Sequence, residues 1–240
     1  MAPNQIVGEP PAGQFGPDIY ATWHGSTLGE ITEALEHRLI FQLAGPLQGC
    51  SVLDVGCGDG TLALLCVQEG AVRVQGCDPD PRMVARAHAR FARAGVSIDL
   101  TVAQAQTLPF PDNSFDVVLC ITVLAFIPDA GTAVREMARV LRPGGRLVIG
   151  DLGKWSLWAA RRRIRGWLGA AFWHAARFRT ARQIAALASG SGLSIMSIRG
   201  AIFFPPWTRL ARVMASFDLA LGKLTTVGAA FLSIQATKSM

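Results

Sequence analysis

Apolar positions along the chain follow two rhythms that alternate with each other. Short runs such as Val52-Leu53 with Val55, and Val117-Val118-Leu119, read as buried strands. Between them the apolar residues recur every three or four positions, as in Leu28, Ile31, Leu35, Leu39, Ile40 and Leu43, which predicts an amphipathic helix over 28–44. Further strands are predicted at 72–77, 96–102, 115–121, 146–150, 193–204 and 228–237. Further helices are predicted from 61, at 79–94, 130–141, 180–189 and 207–221. Alternating βα units imply a parallel sheet with right-handed crossovers. Arg142-Pro143-Gly144-Gly145 reads as a helix stop and tight turn, and Pro205-Pro206 as the stop of the sixth strand. Residues 1–17, rich in Pro and Gly, offer little to bury, and 18–25 read as a short helix.

The junction after the first strand is the most specific local feature. Ser51-Val52-Leu53-Asp54-Val55 runs into alternating glycines at Gly56, Gly58 and Gly60, and a helical pattern begins at once. Strand, glycine turn and helix form the entry unit of a doubly wound nucleotide-type site, where bare backbone and free N–H groups approach a ligand. Asp78 closes the second strand about twenty positions later, which suits a ribose diol. Asp78 equally suits the N-cap of the next helix, because Asp-Pro is a good helix start. Both roles stay open on the sequence.

Four ordered blocks then resemble the class I S-adenosylmethionine-dependent methyltransferases. They are Leu53 to Gly60, Asp78-Pro79-Asp80-Pro81-Arg82-Met83, Leu108-Pro109-Phe110-Pro111-Asp112-Asn113-Ser114-Phe115-Asp116-Val117-Val118, and Glu136 to Leu147. The nearest branch contains small-molecule and quinone-biosynthesis enzymes. The resemblance is strong over 50–150 and thin outside. It implies an α/β, Rossmann-like fold: a seven-stranded, mostly parallel sheet with helices on both faces and the last strand antiparallel. It also implies S-adenosyl-L-methionine as cofactor, held by Asp54, Gly56, Cys57, Gly58, Gly60, Asp78, Pro79, Met83, Gln104, Ala105 and Cys120. Within that set Asp54 attracts the ammonium group or holds the glycine turn, and Met83 packs on adenine or on the sheet. Two departures stand out. Gln104 sits where the family usually has an Asp for the adenine amino group, although its amide can accept and donate there. Leu124-Ala125-Phe126-Ile127 replaces a His-containing stretch after the fourth strand.

Bulk properties narrow the classes. The chain has 240 residues, is 50% hydrophobic and has a mean hydropathy of +0.32, enough for one α/β domain. No uncharged stretch is long enough to span a membrane, and the N-terminus lacks a signal-peptide pattern. The five cysteines show no metal spacing and read as buried residues of a reducing compartment. A cytoplasmic location is therefore expected, with membrane association left open by the charge distribution. Residues 1–151 carry 10 Lys/Arg and 16 Asp/Glu, a balance of −6; residues 152–240 carry 13 Lys/Arg and only Asp218, a balance of +12. A split this large implies two surfaces with different partners.

The expected organisation is N-terminal lid helices over 1–44, a cofactor core over 45–151, and the rest of the same domain over 152–240. That last part holds a basic, Trp-rich insert at about 153–179 and a second helical insert at about 206–222. The first insert interleaves Trp155, Trp158, Trp167 and Trp173 with arginines, and Gly166 and Gly169 divide it. It reads as a membrane-interface helix, as a lid on an apolar pocket, or as a helix with a solvated basic face. Trp23, Phe126, Trp155 and Trp158 are the pocket and lid candidates. Tyr20, His24 and Asp151 are the candidates for positioning or proton removal; His37, His88 and His174 read as helix-surface residues. Nucleic acid is not expected as a partner, because the Asn/Asp-Pro-Pro-aromatic block after the fourth strand is missing. The leading reading is methyl transfer to an apolar or lipid-like small molecule. A NAD-type oxidoreductase would need a glycine where Thr61 stands, and a membrane or partner-binding module with a vestigial cofactor fold is the non-enzymatic alternative.

Overall fold

The structure, a computed structural model, describes residues 25–240. In chain order the elements are α1 (Thr27–Ala44), β1 (Ser51–Val55), α2 (Thr61–Gln68), β2 (Arg73–Asp78), α3 (Pro81–Ala94), β3 (Asp99–Val102) and β4 (Phe115–Ile121). A 3₁₀ turn at Leu124–Phe126 follows, then α4 (Ala130–Val140), β5 (Leu141–Leu152), α5 (Leu157–Trp167), α6 (Ala171–Ala175) and α7 (Ala181–Ser189). The chain ends with β6 (Leu193–Ala201), α8 (Thr208–Leu224) and β7 (Phe231–Lys238). The short helix expected at 18–25 falls, but for Gly25, outside the described residues, as do the candidates Tyr20, Trp23 and His24.

The seven strands form one sheet in the order β3-β2-β1-β4-β5-β7-β6. β1 to β5 pair in parallel, and β7 runs antiparallel between β5 and β6. Period-two alternation builds two cores from the same strands. Leu53, Val55, Val118, Cys120, Leu147 and Ile149 face α4 and α7, whereas Val52, Val117, Leu119 and Val148 face α1, α2 and α3. The chain first builds outward from β1 to β2 and β3, then returns to add β4 on the other side. Such a reversal leaves a crevice at the carboxyl ends of β1 and β4.

Local chemistry explains where expectation and structure part. Asp80, not Asp78, caps α3: its side chain accepts the Arg82 N–H, and Pro81 occupies the first turn. β3 starts at Asp99 rather than 96, because the Val96 N–H is spent on the Phe91 carbonyl at the end of α3. β5 is longer than 146–150: Leu141 already pairs with Phe115, and a register shift then absorbs the Pro-Gly-Gly segment. β6 stops at Ala201 because Ile202 turns to a φ of 62°. Helix α8 runs three residues past the expected 221, to Leu224.

Candidate active site

At the crevice lies a cavity of about 730 Å³. Its inner half is made where β1 and β2 end. The Gly56 and Cys57 N–H groups both donate to the Cys77 carbonyl, at 2.7 and 2.9 Å, which ties the glycine turn to β2. Gly56 has a φ of 74°, and a Cβ there would sit 2.2 Å from Val123 Cγ2. Only glycine meets both demands. Asp78 accepts the Gly58 N–H at 3.0 Å on one oxygen and the Asp80 N–H at 2.9 Å on the other. Burial raises its carboxyl above the usual range, against the pull of those two bonds.

Asp54 is the electrostatic centre of this half. It is buried, and its Oδ2 has no hydrogen-bond partner. Burial first, then the charges of Asp78 and Asp59, push its carboxyl up to about 7. A buried carboxylate oxygen without a donor is costly unless a cation or donor reaches it. Asp54 faces the cavity beside Gly56, Cys57, Gly58, Asp78, Pro79, Met83, Gln104 and Ala105, all of which line it. Gly60 and Cys120 do not. Gly60 packs against Phe91 and Ala87, and Cys120 is fully buried under the floor, its thiol driven up by burial and by Asp151 and Asp54.

The outer half is built from side chains distant in sequence. From α1 come Thr32, Glu33, Glu36 and His37. His37 therefore lines the cavity rather than the outer surface, with its Nε2 3.8 Å from Glu33 Oε1. From the first insert come Trp158, Arg162, Phe172 and Trp173. The Arg162 guanidinium lies 5.3 Å from the Trp158 ring and 4.6 Å from the Trp173 ring. Trp158 is fixed in turn by its indole N–H, which donates to the Phe204 carbonyl at 2.8 Å. Phe126 closes this wall and packs on Phe172 at 4.4 Å. Trp155 is not part of it: it is exposed, under the Lys154 ammonium.

Two β-branched residues of the lining adopt left-handed backbone, Thr122 at φ 57° and Ile202 at φ 62°. Such conformations cost about 1–3 kcal/mol each and persist only where surrounding bonds hold them. The Thr122 N–H donates to the Gly150 carbonyl at 2.7 Å. The Ile202 and Phe203 N–H groups donate to the buried carboxylate of Asp218 at 2.7 and 2.9 Å. Asp151, expected as a catalytic candidate, is not in the lining. It is fully buried, accepts the Leu152 N–H, and pairs with Arg179 at 3.1 Å. Burial pushes its carboxyl up to about 6 against those partners, and Arg179 also ties the insert to the Leu124 carbonyl at 2.7 Å.

Residues 53–149 match the family described as "Methyltransferase domain". The chain is 42% identical over 129 residues to the 27-O-demethylrifamycin SV methyltransferase of Amycolatopsis mediterranei, covering 52% of this chain and 47% of that one. It is 31% identical over 179 residues to the ubiquinone biosynthesis O-methyltransferase of Xanthomonas euvesicatoria, covering 72% and 74% respectively. Among solved structures, a SAM-dependent methyltransferase of Thermotoga maritima superposes with a TM-score of 0.71 at 21% identity, over 92% of this chain and 95% of the other. The chain spans about half the length of the first curated relatives it matches.

Proposed function

Because the chain belongs to the S-adenosylmethionine-dependent methyltransferases, we propose that it moves a methyl group from this cofactor to an apolar small molecule held in the outer half of the cavity. The observation that carries the reading is the buried, unpartnered Asp54 Oδ2 on the cavity floor. A cationic ammonium on the ligand is the group that would satisfy it.

S-Adenosylmethionine, when bound, supplies a methyl on a sulfonium, so the group left behind is neutral. In this reading Asp54 holds the ammonium, Asp78 accepts the ribose hydroxyls, and the bare backbone at Gly56 and Gly58 gives room to the methionine part. Met83 packs on adenine, and Gln104 offers its amide to the adenine edge. What the chain must then do is align the acceptor and keep water out. Orientation alone is worth about 7–11 kcal/mol. The aromatic wall of Phe126, Trp158, Phe172 and Trp173 suits the acceptor's apolar body, with Arg162, Glu33 and His37 at its polar end. The core over 45–151 thus serves the cofactor, and the insert at 153–179 closes the acceptor side. Exposed Trp155 and Trp167 on that insert support peripheral membrane contact by the same segment.

Calorimetric titration with S-adenosylhomocysteine tests the cofactor reading. Binding that weakens in Asp78→Ala is expected. No binding at millimolar ligand, or tighter binding of NAD, overturns it. Incubation with methyl-labelled cofactor and a fractionated metabolite and lipid extract, read by mass spectrometry, tests the acceptor class. Label in the apolar fractions is expected, and label confined to polar metabolites overturns that part.

A further inference from the structure

Helix α8 bears an apolar stripe on its outer side. Leu210, Val213, Phe217 and Leu224 are all exposed, Val213 by 66% and Leu224 by 84%, and Ala220 lies between them. The intervals of three, four, three and four residues put these five on one helical face. Trp207 and Val227 are also exposed, just before and after the helix. A continuous exposed apolar face of this length marks an interaction surface. The opposite side of α8 is seated firmly. Ala211, Asp218 and Gly222 are buried, and a Cβ on Gly222 would lie 1.8 Å from the Gly200 carbonyl oxygen of β6. The helix therefore presents one fixed face outward.

The same spacing also suits a helix–helix seam, so a second copy of the chain is the rival occupant. The flanks decide between them. Arg209, Arg212 and Lys223 run along one edge of the stripe and are exposed, and Asp218, the helix's one acid, is turned inward onto the Ile202 and Phe203 N–H groups. Two copies packed antiparallel would set these cationic edges against each other. An anionic bilayer surface takes up the apolar stripe and neutralises its cationic edge at once. The helix cannot cross: among the described residues no helix is long and apolar enough to span a membrane.

We propose that the outward face of α8 lies flat on an anionic lipid surface, with Leu210, Val213, Phe217 and Leu224 at the acyl boundary and Arg209, Arg212 and Lys223 on lipid phosphates. The proposal carries the membrane-contact reading of the α5–α6 insert to a second element, and it stands whether or not methyl transfer occurs. Asp218 joins the buried side of this helix to Ile202 in the cavity wall, so docking brings the acceptor half close to the bilayer.

Vesicle co-sedimentation of the full chain tests this, with phosphatidylcholine alone and with added phosphatidylglycerol. Binding only to the anionic vesicles, weakened by salt, is expected. Val213→Glu with Phe217→Glu, and separately Arg209→Gln with Arg212→Gln, should each lower partitioning on the order of tenfold or more. These positions are exposed, so circular dichroism and S-adenosylhomocysteine affinity should stay unchanged, and that affinity reports separately on the cofactor reading. Absence of binding at low salt, equal binding by the variants, or a wild-type dimer in sedimentation velocity that Phe217→Glu dissociates, overturns the proposal.

Discussion

The two halves of the cavity are made in different ways. The inner half is backbone and acid: a glycine turn, two strand ends, and carboxylates that burial makes expensive. Its members come from the ends of β1, β2 and β3 and the first turn of α3, all within residues 54–105. The outer half is aromatic and cationic, and its parts come from α1, the α5–α6 insert and the Ile202 turn. Under the proposed reading, the half that holds the cofactor is drawn from short motifs at successive strand ends. Under the same reading, the half that takes the acceptor is assembled from side chains that meet only when the whole sheet is built.

Damage to one half should therefore spare the other, and the largest effect is expected at the turn. Gly56→Ala meets both a left-handed backbone and Val123, and should cost about 3 kcal/mol or more of stability and abolish detectable cofactor binding. Thermal melts and calorimetry read both; unchanged affinity would break the assignment of the inner half. Asp218→Ala leaves the Ile202 and Phe203 N–H groups without acceptors and should lower stability by about 2–4 kcal/mol. Where it still folds, cofactor affinity should hold, and a matching loss of that affinity would show that the halves are not separable. Asp78→Ala should lower cofactor affinity by about 2 kcal/mol, the scale of hydrogen bonds to a charged group, with little change in acceptor KM at saturating cofactor.

The smallest expected effect on cofactor affinity is a pH dependence. The Asp54 carboxyl stands at about 7 in the fold against an ordinary 3.8, so the folded state holds its proton where the unfolded chain has lost it. Unliganded stability therefore falls as pH rises from about 4 to 7. Binding of an ammonium needs the ionised form, so cofactor affinity should rise on the order of tenfold between pH 6 and pH 7.5. Asp54→Asn should flatten that rise, and a slope that persists in the variant would assign the proton to another group.

Legibility in the sequence follows the same division. Strand and helix order, the sheet class and most of the inner half were readable, because period-two runs and the glycine turn are local signals. Gly60 and Cys120 lie outside the cavity lining, since a motif does not tell which of its members face the cavity and which face the core. On α1, Thr32, Glu33, Glu36 and His37 form a polar stripe that reads as solvent-facing until a cavity is found beside it. Nothing in the run Arg161-Arg162-Arg163 marks the middle arginine as the one that meets two tryptophan rings. Asp151 reads as a candidate for positioning or proton removal, but its carboxylate is captured by Arg179 from 28 positions away. The left-handed Ile202 had no signal at all, because β-branched residues disfavour that backbone.

The inward turn of Asp218 has a consequence for how the molecule could be released from a charged surface. With that acid hidden, the side chains of residues 152–240 show solvent one sign of charge. Acid finds no outward carboxylate side chain there to neutralise. Attachment through this region should thus ignore a falling pH and yield to ionic strength, which shortens the reach of the field to about 8 Å under physiological conditions.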